Sequence, residues 1–585
     1  MQSLRGENFQ LEEVLVTARK KVENLQSIPV AIDAIGRAEL EEKAISSLAD
    51  VAKYSSSLTF ETGVLPNDTR PSIRGMNITR GRPNVAILVD GIDISSETLT
   101  VAGGGAYANM GLLELERIEV IKGPQSVTYG RSAFAGAVNY VTKRPIAADG
   151  VTGYVEGETD EHGFWRGLGS VSFPLNDQLA MSLSALSSDF DGHYENPLTG
   201  GDLGGNTQNG GSIALNFESD GDFTAYFRGE YIKDESTPRP IVMAASVLPQ
   251  GSASNDFFLL GSVPDHSAKL PIPGGARGLP EPTQAECDEA AAWRHLAGFT
   301  PACATMLIGD ISDAGEEDIN LSPNPNTGRD YVGTEIENLR LSLELDWQLG
   351  EVQVESLTGY TENETSVVED FDKTHYSLDS FFPGSALFVP GYIGPEDASV
   401  TQFGVETNSD TSFDYQQFSQ EFRFQGVAGD FEWMADFLYW EEDMDSVMNQ
   451  MWWAASDVDL DYTNSLLSAI ADPTCTVPGD ITTCELFTGL QTEMLPNRIP
   501  INRDTEHWSI AGSLVYNLGD AWRITAEGRY LDETIDYEGL PLDVLFNGFY
   551  GLPYVGPETG IPGEPQLQKE TVDETEFVPR FSVDW

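Results

Sequence analysis

Residues 339–349 alternate without a break. Leu339, Leu341, Leu343, Leu345, Trp347 and Leu349 fall on one side of an extended chain, with Arg340, Ser342, Glu344, Asp346 and Gln348 on the other. A helix would scatter this pattern around its circumference, whereas a pleated strand sorts it onto one apolar and one polar face. A run of this length, tilted, matches one crossing of a bilayer. Residues 418–425 repeat the arrangement, with Phe418, Phe422 and Phe424 opposite Glu421 and Arg423. In residues 522–530 the polar face carries Arg523, Glu527 and Arg529. A sandwich would bury the apolar face against a second sheet; a barrel would turn it to lipid.

Connection lengths separate the two. Very short turns are expected at 174–177, 219–222, 350–351, 429–430 and 519–520, and long polar connections near 234–329, 361–410 and 444–502. Short turns on one rim and long loops on the other describe an outer-membrane barrel. No window approaches the 18 or so consecutive apolar residues of a membrane-spanning helix. The pattern accommodates about twelve strands between residue 151 and the last residue, Trp585.

Charge is distributed as unevenly as hydropathy. The chain carries a net −60, yet residues 1–145 hold 16 Lys+Arg against 17 Asp+Glu, while residues 146–585 hold 17 against 76. Binding to phosphate backbones needs a basic surface, so nucleic acid is excluded as a partner. Two readings of the acid stay open: a solvated surface, or a vestibule that concentrates cations. The four cysteines form two local pairs in long polar segments, Cys287 with Cys303 and Cys475 with Cys484. Closeness along the chain favours these two disulfides, which belong to an oxidising compartment; four free thiols are the alternative.

Asp457, Asp459 and Asp461, and the acidic run 310–318, lack EF-hand spacing, because Tyr462 stands where the turn glycine belongs. They read as surface acids, and no metal or cofactor is expected. The six histidines are scattered, with no HExxH, no G-x-S-x-G and no Cys–His zinc spacing, so no enzyme is expected. Trp452 and Trp453 are placed in an external loop, where they would stack on a ring or sugar or pack the loop itself.

The near-neutral first 145 residues read differently. Residues 37–54 fit one short amphipathic helix, with Leu40, Ala44, Leu48 and Val51 on a stripe. Residues 85–89 (VAILV) read as a buried strand turned by Asp90 and Gly91, residues 117–121 as a second, and residues 137–142 as a third. The result is a small mixed α/β domain. Its triple glycine, residues 103–105, lacks the preceding strand and following helix of a nucleotide site. Ahead of it EEVLVTA is extended and β-prone, suited to leave its domain and add to a partner's sheet edge. The opening MQSLRGENFQLEEV has no apolar core or cleavage pattern, so the leader of an exported barrel is expected to have been removed.

Three segments carry a resemblance: LEEVLVTARKKVENLQSIPVAI (11–32), RPSIRGMNITRGRPNVAILVDGI (70–92) and LERIEVIKGPQSVTYGRSAFAGAVNYVTKRP (115–145). In order and separation they are similar to the TonB box and plug signatures of the TonB-dependent outer-membrane receptors. The resemblance implies a TonB box and periplasmic segment at 1–20, a plug domain at 21–145, and an antiparallel transmembrane β-barrel with long extracellular loops at 146–585. Complete barrels of this type have 22 strands, so the remaining strands are expected to be missing. Only about ten residues precede the TonB box, too few for the extra signalling domain of some relatives.

The resemblance also assigns roles. Glu12, Glu13, Val14, Leu15, Val16, Thr17 and Ala18 would form the TonB box, pulled by TonB with its ExbB/ExbD-type energising complex. Plug arginines Arg74 and Arg131 would pair with lumenal glutamates, Glu421 and Glu527 being the candidates, to form a plug–barrel gate. Arg80, Arg82 and Tyr107, on apical loops, would contact substrate. The implied activity of such a monomer is active uptake of a scarce large nutrient, foremost a ferric siderophore or other iron complex; a glycan, another organic nutrient or a cofactor as cargo, or surface binding without transport, are alternatives.

Overall fold

The computed structural model describes residues 15–17, 20, 23–24, 30–43, 45, 48–62, 69–76, 83–96, 113–196, 199–241, 321, 324, 329–370, 403–456, 492–519, 522–539 and 568–585. Two bodies share one interface. The first runs through β1 (Leu15–Val16), β2 (Glu23–Asn24), β3 (Ala31–Gly36), α1 (Arg37–Glu42), α2 (Leu48–Tyr54), β4 (Leu58–Thr62), β5 (Thr69–Ile73), β6 (Val85–Val89), β7 (Ile92–Asp93), β8 (Leu115–Lys122), α3 (Ser126–Tyr129) and β9 (Gly136–Thr142). Its central sheet has the order β3-β8-β9-β6-β7, in which only β6 and β9 run parallel.

Both faces of that sheet are covered, and the residues of β6 show it. Val85, Ile87 and Val89 join Ile118, Val120 and Val138 under the helices, while Ala86 and Leu88 join Ile121, Ala137 and Tyr129 on the other side. Burial on both sides is why VAILV is a continuous apolar run rather than an alternating one. Asp90 and Gly91 both have positive φ (51° and 83°), the geometry of a two-residue hairpin whose twist matches its strands. Gly136 opens the central strand β9 at φ 151°, and a Cβ there would run into the Ile121 carbonyl oxygen. This explains the glycine in AGAVNY.

The single helix expected over 37–54 is two. Lys43 leaves helical geometry (φ −96°, ψ 2°), and the Ile45 N–H donates to the Leu40 carbonyl at 2.9 Å. In a straight helix residue 45 would point about 140° away from Leu40. Breaking the helix lets Ile45 enter the core with Leu40, Leu48 and Val51.

The second body is an antiparallel sheet in which each strand pairs with its sequence neighbours. It comprises β10 (Thr152–Thr159), β11 (Trp165–Pro174), β12 (Leu179–Glu195), β13 (Asp202–Glu218), β14 (Phe223–Ser236), β15 (Gly333–Leu349), β16 (Val352–Asp370), β17 (Phe403–Ala428), β18 (Phe431–Ser456), β19 (Thr492–Leu518), β20 (Trp522–Gly539) and β21 (Gln568–Asp584). This is a wall of antiparallel membrane β-barrel strands. Its outward leucine and aromatic face is open, Trp347 at 52% and Leu349 at 48%, while Arg423, Arg529 and Glu533 of the inward face are buried against the first body. Among the described residues no helix is long and apolar enough to cross a membrane.

The short turns lie where expected, with Gly350, Gly429 and Gly519 at φ 63° to 66°. The connections on the opposite rim begin later than expected, because the strands continue. β17 and β18 each have 26 residues and β19 has 27. Trp452 and Trp453 therefore belong to β18, where the register shifts between them, rather than to a loop. Alternation fades there for a physical reason. Gln417, Glu442 and Arg503 face inward while Asp414, Asp443 and Asp504 face outward, all polar, so hydropathy no longer reports a ladder that the backbone still makes.

Candidate functional site: the seam between plug and wall

The N-terminal tail is held by buried polar contacts. Val16 is fully buried. Thr17 gives its N–H to Glu119 Oε1 at 2.9 Å and its hydroxyl to Oε2 at 3.0 Å, while Arg117 Nε donates to the same carboxylate at 2.7 Å. Lys20 adopts the left-handed region (φ 58°), costly for a residue with a Cβ. Its ammonium reaches across to the wall, 2.5 Å from Glu421 and 3.3 Å from Asp436. Burial pulls the Lys20 ammonium below the usual lysine range, against the opposing pull of those carboxylates.

The wall answers with arginines. Arg423 pairs with Glu421 at 2.7 Å and with Glu355, and donates to the Lys20 carbonyl at 3.3 Å. Arg529, fully buried, binds Asp436 at 2.7 Å and donates to the carbonyls of Val127 at 2.9 Å and Thr128 at 3.2 Å. On β14, Arg228 donates to the Leu113 carbonyl at 3.1 Å and lies 3.8 Å from Glu114. Buried charges are tolerated only when paired and hydrogen-bonded, and each of these has both.

One plug arginine is enclosed between an acid and a ring. Arg131 Nε donates to Glu533 Oε2 at 2.7 Å while its guanidinium stacks 3.6 Å from the Trp440 ring centroid. His507 Nδ1 lies 3.1 Å from the same carboxylate oxygen. Trp440, His507 and Glu533 are direct cross-strand neighbours, so three adjacent strands build the seat. Asp93 lies in the same region of the plug, with its carboxyl pushed up to about 6 by burial and opposed by its Ser95 hydrogen bonds. Where plug becomes wall, Arg144 forms a two-pronged pair with Glu344 (2.9 and 2.6 Å), and Asn216 donates to the Pro145 carbonyl at 3.0 Å.

The residues expected at the gate are distributed as follows. Arg131 meets Glu533, six residues along β20 from Glu527, whereas Glu527 pairs with Arg580 and Ser513. Glu421 is bound by Lys20 and Arg423. Arg74 is exposed, at φ 55°, with its guanidinium beside Gly123, and no barrel glutamate meets it among the described residues. The period of two fixes which face a strand residue takes but not its height, and pairing across the seam depends on height. Of the TonB-box residues, Leu15, Val16 and Thr17 are described, with Leu15–Val16 forming β1; Glu12, Glu13, Val14 and Ala18 lie outside the described residues. So do Arg80, Arg82, Tyr107, Cys287, Cys303, Cys475, Cys484 and the acidic run 310–318 with Asp457, Asp459 and Asp461. Sequence reasoning missed Lys20, Asp436, Arg228 and Glu533. The available signal was a charge on the inward face of a strand, which for Lys20, in a tail, did not exist.

An N-terminal mixed α/β module seated by ions against the inner face of an antiparallel strand wall, whose outer face is apolar, defines an outer-membrane β-barrel protein with a plug. Residues 24–137 match the model of the TonB-dependent receptor plug domain. The chain is 27% identical over 213 residues to the pesticin receptor of Yersinia pestis, covering 35% of this chain and 30% of that receptor. It is 32% identical over 140 residues to the vitamin B12 transporter BtuB of Vibrio vulnificus, covering 24% of this chain and 22% of that transporter. These matches span under a third of each relative's length. Among solved structures, the ferric yersiniabactin uptake receptor FyuA of Yersinia pestis superposes with a TM-score of 0.55 at 15% identity, over 95% of this chain and 62% of that one. The plug domain is thus that of the TonB-dependent receptors, and the chain resembles receptors of that kind from the bacterial outer membrane.

Proposed function

We propose that the protein imports a scarce, large nutrient across the outer membrane by TonB-dependent transport, with residues 1–20 as the pulled segment, 21–145 as the plug and 146–585 as barrel wall and external loops. The observation that carries this reading is the tail. Beside the buried Val16, Thr17 is held by hydrogen bonds to Glu119 and Lys20 by ions to Glu421 and Asp436, beneath a plug that keeps its own core. Polar contacts of this kind exchange for water when pulled, whereas an apolar core resists. Edge addition of residues 12–18 to a sheet of TonB, energised by an ExbB/ExbD-type complex, supplies the pull.

A ferric siderophore is the favoured cargo, supported by the likeness to the ferric yersiniabactin uptake receptor FyuA and to the siderophore receptor PiuA of Acinetobacter baumannii. The match to a vitamin B12 transporter supports an organic cofactor as the second reading. Arg80, Arg82 and Tyr107 on the apical loops are the proposed substrate contacts, and the two local cysteine pairs the staples of external loops. Deleting residues 12–18 is expected to abolish accumulation of radioiron siderophore complexes while leaving their binding to cells intact. Retained uptake would reject dependence on the pulled segment. Growth of a gene deletion on iron-limited medium against medium in which the cofactor is limiting separates the two cargoes.

A further inference from the structure

Of the six histidines, which the sequence scatters, the fold brings two together. His162 and His193 lie at the rim opposite the short turns, where β10 passes to β11 and β12 ends. Their ring centres are 5.0 Å apart, edge to face at 88°.

The backbone aims each of them. His162 lies in the connection that Asp160 closes. The Asp160 carboxylate accepts the N–H groups of His162 at 2.8 Å and Phe164 at 3.0 Å, and the Asp160 N–H donates to the Phe164 carbonyl at 3.1 Å. His193 is the extra residue of a bulge. Gly192 pairs with Gly204 and Tyr194 with Leu203, so β12 advances two residues while β13 advances one. On a regular strand residues 190 and 193 would face opposite sides. The bulge turns His193 back toward Phe190, whose ring centre lies 4.8 Å away. Only glycine fits the step: Gly192 has φ 110°, and a Cβ there would run into the Leu203 carbonyl oxygen.

Both histidines are exposed, so burial of the rings is not what the pairing serves. Among the described residues neither ring nitrogen is hydrogen-bonded, and Glu161 Oε1 stands 3.7 Å from His162 Nε2, beyond that reach. The spacing suits a shared ion. Metal–nitrogen bonds of about 2.0–2.1 Å set the centres of two cis imidazoles about 5 Å apart. The outer torsion of histidine is soft, so each ring can turn a nitrogen to the common point. Glu161, Asp191 and Glu195 flank the pair along the chain, and their field favours a dication. Imidazole nitrogen selects Cu2+, Ni2+ or Zn2+ over Ca2+ and Mg2+, which take oxygen, and Cu2+ binds tightest of these. No three His, Cys, Asp or Glu side chains converge on one ion among the described residues, so water completes the shell.

We propose that His162 and His193 form a surface site for a divalent transition-metal ion, each giving one imidazole nitrogen. The ion ties the β10–β11 connection to the end of β12. The site stands apart from the seam and does not depend on the transport reading.

The test uses the full chain in detergent micelles, stripped with a chelator and given Cu2+ below one equivalent, so that the tightest site fills first. Electron paramagnetic resonance counts the ligands, because coordinated nitrogen splits the copper signal and carboxylate oxygen does not. The parent is expected to show two coordinated nitrogens. His162→Gln, His193→Gln and the double variant are each expected to lose that pattern, and both positions are exposed, so the fold is retained. Fewer than two nitrogens in the parent, or a parental spectrum in any of the three variants, places the copper elsewhere and overturns the site.

Discussion

The plug's interior is hydrocarbon, whereas the seam around it mixes ion pairs with apolar patches such as Leu113 against Leu168, Leu186 and Ile232. Inside, Val85, Ile87, Ile118, Val120 and Val138 pack hydrocarbon on hydrocarbon beneath Leu48 and Val51. Around the edge the contacts are Lys20 to Glu421, Arg131 to Glu533, Arg529 to Asp436 and Arg228 to Leu113. Removing an apolar core from water gives roughly 25 cal/mol for each Å² buried, and all of that is lost if the core is opened. A buried ion pair contributes little net stability, because solvation of the separated ions nearly balances their attraction. A module that must stay folded yet be moved needs cohesion inside and exchangeable contacts outside, and the charged part of the seam supplies contacts of the second kind.

That contrast is open to attack, most sharply at Arg131. Glu533→Ala leaves the Arg131 cation and His507 without their shared acceptor and is expected to cost about 3–5 kcal/mol of plug seating, read as the urea midpoint for protease protection of the plug in detergent micelles. The double replacement Arg131→Met, Glu533→Leu removes both charges and should return to within about 1 kcal/mol of the parent. A double variant as damaged as the single one would mean the seam is cohesive rather than exchangeable.

Asp93 gives the next largest effect, through pH. Its carboxyl sits at about 6, raised from 3.8 chiefly by burial, so the folded plug favours the protonated form. Ionisation therefore costs stability: nothing below about pH 4, increasingly up to about pH 6, and a constant amount above, at most about 3 kcal/mol. Asp93→Asn, which keeps an acceptor for the Ser95 N–H, should match the parent at low pH and gain on it as pH rises through that window. Thermal melts from pH 4 to 8 check the sign.

Within the core, Ile87→Val should cost about 0.5–1.5 kcal/mol of plug stability while leaving seating contacts untouched, measured by amide exchange of β6 against β9. The smallest effect belongs to the exposed pair of Lys53 with Asp50, 2.7 Å apart on α2. Lys53→Ala should produce no measurable shift in the same melts, because a solvated pair is screened.

The legible parts were those with a period or a signature. The alternation of residues 339–349 gave β15 its faces, VAILV gave β6 within a residue, and the short turns fell at their expected places. The helix break at Lys43 was hidden, because Ala44 completes an unbroken apolar stripe and only the burial of Ile45 disrupts it. The full lengths of β17, β18 and β19 were hidden too, since polar residues on both faces, such as Gln417, Glu442 and Asp443, interrupt the alternation, and backbone pairing leaves no mark on composition.

What the sequence determined by itself was local and periodic: strand faces, turn positions, the burial of β6, and the plug signature. Which inward charge meets which was decided only when the module and the wall came together. Arg131 finds Glu533 instead of Glu527, and Lys20 finds Glu421 and Asp436 some four hundred residues away, because strand tilt and register set the height of each side chain. A pattern of period two carries no information about height, and only the assembled structure supplies it.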